Sequence, residues 1–192
     1  KFRAHVRRIR TVFNSEFGAN GPLRWQSLHR FIPKDHLWPP DGVWELHVQD
    51  NPYNTLPETF VEVQMKIAER LFGPLRGVRD FLKKGMIAHA EILREEFENH
   101  RRRKFANSGA MSWMFNDTWP CGSWAAVDYY GLPKPVYYAA RRACAPVLFS
   151  FARDESDERA VELRLVNDLA RDLPVAVTYG IETVDGIVLC RK

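Results

Sequence analysis

Thr11-Val12-Phe13-Asn14-Ser15-Glu16-Phe17-Gly18 is the stretch on which the reading of the fold turns. Its first four residues favour a strand, a single carboxylate follows, and a glycine closes the run. A (β/α)₈ barrel presents its reactive groups in this way, because its chemistry sits where parallel strands end and loops begin. An isolated strand-end glutamate is also an ordinary surface residue, since glutamates are mostly exposed. The stretch therefore needs support from elsewhere in the chain.

That support is a second block, Ser108-Gly109-Ala110-Met111-Ser112-Trp113-Met114-Phe115-Asn116-Asp117-Thr118-Trp119-Pro120, followed by Ser123-Trp124 and by Asp128-Tyr129-Tyr130-Gly131-Leu132-Pro133-Lys134-Pro135. Residues 109–115 form a compact apolar run bounded by glycine and by Asn116-Asp117, which predicts a buried parallel strand. Between the two blocks lie two helical patterns. Residues 58–72 follow Pro57 and end at Gly73-Pro74. Residues 80–105 place Phe81, Gly85, His89, Leu93 and Phe97 on one stripe, with His89 expected as a core residue. A short helix is expected over 1–10, and residues 18–54 read as a long loop with helical turns at 25–31 and 43–48. Pro135 opens a last helix over 135–143.

Beyond residue 145 the pattern changes. Residues 147–151, 161–166, 175–181 and 187–190 are short β-rich runs, with hairpin chemistry at 154–158 and at Asp185-Gly186. The spacing predicts the start of an immunoglobulin-like sandwich over 146–192.

Several side chains carry two readings each. Trp113 is either an apolar platform for a ligand or a core residue. Asn116 and Asp117 either bond a ligand's polar groups or turn the backbone. Trp119 and Trp124 either line a pocket rim or pin the loop around Pro120. Asp128, Tyr129 and Tyr130 read as scaffold.

The motifs resemble those of the family 2 glycoside hydrolases, above all their β-mannosidase-like branch, and the resemblance covers most of the chain. Ser15-Glu16-Phe17-Gly18 matches that branch's nucleophile strand, and the second block matches its later strand and loop, although Ala19-Asn20 departs from the pattern. It implies that residues 1–145 are the C-terminal portion of a (β/α)₈ TIM barrel and that the reaction is retaining hydrolysis of terminal β-linked sugars, β-mannosides first. β-Galactosidase, β-glucuronidase and exo-β-glucosaminidase activities share that scheme, and a non-catalytic carbohydrate-binding module is the alternative of another class. By resemblance Glu16 is the nucleophile, and Trp113, Asn116, Asp117, Trp119 and Trp124 contact substrate. The acid/base glutamate belongs to a fourth barrel strand upstream of Lys1.

Length agrees with that expectation: 192 residues fall short of a whole barrel's roughly 250, and the chain starts with lysine. The missing N-terminal part of the same polypeptide is thus an expected partner, beside a carbohydrate substrate. The net charge of +4 raises the question of nucleic acid, with Arg101-Arg102-Arg103-Lys104 as the footprint. The run closes a helix, where cations complement the dipole, so no nucleic-acid partner is expected. There is no run of eighteen apolar residues, hence no expected membrane span. Six histidines without ligand spacing argue against a metal, no phosphate loop or nucleophile elbow is present, and no cofactor is expected. Three cysteines form no even framework and lean toward a reducing compartment such as the cytoplasm.

Overall fold

The computed structural model describes residues 2–48, 57–153 and 160–192. A short helix α1 (Phe2–Arg7) leads into strand β1 (Phe13–Phe17). A loop module follows, carrying α2 (Trp25–Leu28), a 3₁₀ turn (Lys34–His36) and α3 (Gly42–Leu46). Two longer helices, α4 (Phe60–Phe72) and α5 (Val78–Arg102), return the chain to β2 (Gly109–Ser112), which pairs parallel to β1. Helix α6 (Pro135–Ala143) then leads to the antiparallel hairpin β3 (Val147–Arg153) and β4 (Val161–Asn167), and to a second hairpin, β5 (Gly180–Glu182) and β6 (Val188–Arg191).

The path β1–α5–β2–α6 is the repeating unit of a parallel βα fold, in which a crossover helix is what lets consecutive strands run the same way. Phe17, Ile92, Leu93 and Val136 form the buried layer that joins β1, α5 and α6. Phe17 stands edge-on to Phe97 with ring centroids 4.9 Å apart. A larger core, with Leu23, Leu28, Trp44, Val61, Phe81 and Leu82 at its centre, closes the loop module over α4 and the first half of α5. The described part of that loop is therefore packed scaffold. Helix α4 starts at Phe60 rather than two residues earlier because Thr59 and Glu62 form a reciprocal capping box, with bonds of 3.3 and 2.9 Å.

Helix α5 ends before its expected limit. Arg103 Nη1 donates to the carbonyls of Ile9 and Thr11 at 3.2 and 3.0 Å, and Asn107 Nδ2 donates to Thr11 O at 3.0 Å. These bonds pull the chain out of the helix and onto the start of β1. The same bonds occupy Thr11 O, so the ladder begins at Phe13. The rest of the basic run is also consumed internally. Arg102 bridges Glu95 and Glu98, while Arg101 and Lys104 both pair with Asp168, at 2.8 and 2.7 Å.

Strand β2 stops at Ser112, short of the expected Phe115. The carbonyls of Met114 and Phe115 are taken by Ala126 N at 3.1 and 3.0 Å, so the chain changes partner there. In the C-terminal segment the runs at 147–153 and 161–167 form strands, whereas 175–178 has strand composition without a ladder among the described residues, and Tyr179 exchanges backbone bonds with Lys192 beside β5. Propensity alone does not make a strand without a partner to bond. The two hairpins lie in separate two-stranded sheets. The turn expected at 154–158 lies outside the described residues, while the one at Asp185-Gly186 is present, with Gly186 at φ 85°.

The residues after β2 are organised by a buried cation. Lys134 is fully buried and donates to Ser123 O at 3.2 Å. Asp117 beside it is buried as well, accepting from Ser123 Oγ and, at 3.4 Å, from Cys121 Sγ. Asp128 accepts from Ser27 Oγ at 2.5 Å and from Tyr130 N and Leu132 N at 3.0 and 2.9 Å. Burial pushes the Asp117 carboxyl up and holds Lys134 down to about 8, against the upward pull of Asp117. His89, as expected, is a core residue, kept neutral by burial and by the nearby Lys134.

Replacing Lys134 with methionine would remove the donor to Ser123 O and the charge that faces the buried Asp117. The expected result is a lower unfolding midpoint for Lys134→Met in thermal denaturation. The pH dependence has a definite sign. Because the folded-state pKa lies below the unfolded value of roughly 10.4, this group's contribution is greatest above the unfolded value and is lost as pH falls toward 8. The stability gap between wild type and Lys134→Met should therefore widen from pH 8 to 10, and a constant gap would contradict the assignment.

Candidate active site

The register of β1 against β2 is irregular at one place. Asn14 aligns with Ala110 and Phe17 with Ser112, so β1 holds one more residue than β2 between these pairs. Asn14 Nδ2 lies 3.2 Å from His100 Nε2, and Phe17 packs on Phe97 and on His100, so both residues face α5. In a regular strand, residues three apart face opposite sides. The extra residue of the bulge removes that conflict and leaves Ser15 and Glu16 together on the exposed face. Bulges re-aim side chains in this way beside reactive sites.

Two contacts seat the second block against this bulge. Trp113 N donates to Phe17 O at 2.7 Å, extending the parallel pairing one residue past β2. Gly18 then lies so close that a Cβ would collide with the Trp113 carbonyl oxygen and stand 3.1 Å from Trp124 Cδ1. Only a residue without a side chain fits there. On the same exposed face the Phe13 ring covers Gly109, whose Cβ position it approaches to 2.7 Å. The Trp113–Met114 peptide is cis.

The remaining residues singled out in the sequence divide clearly. Glu16 and Trp113 are exposed at adjacent parallel strand ends. Trp124 is half-buried between Gly18 and the Phe60 ring, which meets it edge-on at 5.2 Å. Trp119 stacks on His47 at 5.6 Å, and His47 Nδ1 is bonded to Pro120 O at 2.8 Å. Asn116 is exposed, its side-chain amide donating to Asp117 O at 3.2 Å. Asp117 points into the Lys134 cluster rather than toward the strand ends, because its carboxylate is what balances the buried ammonium. Ser15 was not marked by the sequence, since a bulge has no signature in residue type. Among the described residues no group of His, Cys, Asp and Glu is arranged to hold a metal. Among them, too, no helix is long and apolar enough to cross a membrane.

No protein-family model matches the chain. Curated relatives do. A β-mannosidase B of Aspergillus flavus is 25% identical over 181 residues, covering 92% of this chain and 21% of the relative. A β-mannosidase B of Aspergillus niger is 28% identical over 149 residues, covering 76% and 17%. Among solved structures, the β-D-mannosidase of Dictyoglomus thermophilum superposes with a TM-score of 0.75 at 25% identity, over 88% of this chain and 20% of that one. The exo-chitosanase of Amycolatopsis orientalis shares the fold, with a TM-score of 0.62 at 24% identity over 79% and 18%. The chain spans about a fifth of the length of the curated relatives it matches. Sequence and fold agree on one likeness: the chain is similar to the β-mannosidase-like branch of the family 2 glycoside hydrolases.

Proposed function

We propose that residues 1–145 form the C-terminal portion of the (β/α)₈ barrel of a retaining exo-glycosidase, with residues 146–192 beginning a β-sandwich. In this reading Glu16 is the nucleophile. The observation that carries it is the bulge at Ser15-Glu16, which turns a carboxylate onto the open face of a parallel strand end beside the exposed indole of Trp113.

The chemistry follows from two carboxylic acids about 5 to 5.5 Å apart. Glu16 attacks the anomeric carbon while the second acid protonates the departing glycosidic oxygen. The covalent glycosyl ester is then cleaved by water, from which the second group, now a carboxylate, takes the proton. That second acid is supplied from beyond this chain. Trp113 offers an apolar face to the C–H surface of the sugar undergoing cleavage. Trp124 stands behind Gly18, packed edge-on by the Phe60 ring. Asn116 and Trp119 belong to the rim, and Asp117 serves the loop from within.

The names of the relatives favour a terminal β-mannoside as substrate. The likeness to an exo-chitosanase supports a second reading, a β-glucosaminide, on the same machinery.

Incubating the full-length protein with 2-fluoro-mannosyl and 2-fluoro-glucosaminyl fluorides, then mapping peptides by mass spectrometry, tests nucleophile and sugar together. The label is expected on Glu16 with the mannosyl reagent, and a label on another carboxylate would sink the assignment. Glu16→Gln should lower turnover of an aryl β-mannoside by at least about three orders of magnitude with the fold retained, because no covalent ester forms. Gly18→Ala should also impair turnover, here by forcing the Trp113 carbonyl away. Its signature is a loss in kcat with an unchanged circular dichroism spectrum, and full activity would show that the close approach is dispensable.

A further inference from the structure

The surface carries a cleft of about 360 Å³ that the candidate site does not use. Arg24 and Trp25 stand on one side, Arg79, Lys83 and Met86 of α5 on another, and Pro135 at the start of α6 closes it. Its volume lies within the range of small-molecule sites, roughly 300–1,000 Å³. Three cations line it and no carboxylate does.

Two of these cations are held in place without being neutralised. The Arg79 guanidinium sits 4.5 Å from the Trp25 ring centroid, which fixes its head while leaving N–H edges for an acceptor. Arg24 Nε donates to Pro133 O at 2.6 Å, anchoring the side chain beside the cleft. Neither of them, nor Lys83, pairs with a carboxylate among the described residues, although the adjacent Lys84 pairs with Asp80 at 2.8 Å. Placement adds a further argument. Arg79 lies in the first turn of α5, at the positive end of its dipole, where cations are disfavoured, and Lys83 stands one turn further along the same face. Local helix stability does not account for them there, whereas a bound anion would offset both the charges and the dipole.

Apart from Gln26 the rest of the lining is apolar, so the ligand that fits is an oxyanion on a body with an apolar face. In a parallel βα arrangement the helix N-termini lie at the end where the strands finish, so the cleft opens at the same end of the fold as Glu16. We propose that this cleft is an accessory subsite for an acidic sugar, a uronate carried by the glycan, with Arg79, Lys83 and Arg24 on the carboxylate and Met86 under the ring. The sugar part rests on the glycosidase reading. The anion part rests on the cleft alone.

The test uses the full-length protein bearing Glu16→Gln, so that probes are bound and not consumed, and isothermal titration with a manno-oligosaccharide bearing one glucuronate and with its neutral counterpart. The acidic probe is expected to bind at least about tenfold more tightly at roughly 50 mM salt, with the gap shrinking at roughly 300 mM. Arg79→Ala/Lys83→Ala should abolish the gap. Both side chains are exposed, so this double variant in the otherwise native protein should keep its turnover of a neutral aryl β-mannoside. Equal affinity for the two probes overturns the proposal, as does an acid preference that survives the double variant. Competition by inorganic sulfate as effective as by the acidic oligosaccharide would refute the sugar subsite and leave a plain anion site. Failure of the nucleophile reading shows separately, as absence of fluoro-sugar label on Glu16 in a protein whose titration is unaffected.

Discussion

The site depends on one close approach, the carbonyl of Trp113 lying against Gly18. The hydrogen bond from Trp113 N to Phe17 O brings the two strand ends to that distance, and it sits one residue after the bulge that exposes Glu16. Three consecutive residues of β1 and its exit thus have three separate jobs. Glu16 faces the opening, Phe17 anchors the strand on α5, and Gly18 yields the space through which the second block closes. Phe17 matters as much as the carboxylate, since burying a phenylalanine contributes on the order of 1.5–3 kcal/mol and fixes which face of the strand its neighbours present.

The buried Lys134 extends this logic to the loop after β2. A fully buried ammonium is expensive, and ion pairs in low dielectric rarely gain net stability over apolar packing. Here Asp117, the Ser123 carbonyl and the nearby Asp128 surround it. Asp128 in turn gathers Ser27 of α2 and the backbone of the 128–132 turn. The cluster ties α2, the loop and the start of α6 to one point. Its polar groups demand partners at defined positions, and they hold Asp117 and Ser123 on the loop between Trp113 and Trp124. The Asp-Tyr-Tyr-Gly and Pro-Lys-Pro segments are therefore supports for the strand end rather than parts of it.

Much of this was legible in the sequence because it rests on local pattern. The stripe Phe81, Gly85, His89, Leu93 marked α5, proline marked α6, and glycine with a β-rich run marked both parallel strands. What failed was decided by long-range bonding. Phe115 has strand composition but bonds to residues 126–127, and Val175 and Val177 alternate without a partner strand among the described residues. Asp117 resembled a ligand because of its position after a strand, yet its surroundings are set by Lys134, seventeen positions later in the chain. The capping box Thr59-Phe60-Val61-Glu62 was in plain view and would have placed the start of α4 correctly. The bulge was not, because any residue type accommodates it and only the pairing register reveals it.

Helix α5 shows how position along one element separates structural charge from available charge. At its C-terminal end every member of the basic run has a task inside the molecule: Arg101 and Lys104 hold Asp168, Arg102 holds two glutamates, and Arg103 holds the carbonyls before β1. These cations also complement the negative end of the dipole, so fold stability explains them fully. At the N-terminal end Arg79 opposes the dipole, and neither it nor Lys83 has a carboxylate partner among the described residues. The run that stands out in the sequence is thus the one with least to offer a ligand. The two inconspicuous cations at the other end, beside an indole and a cleft, are the ones whose charge the fold leaves unanswered.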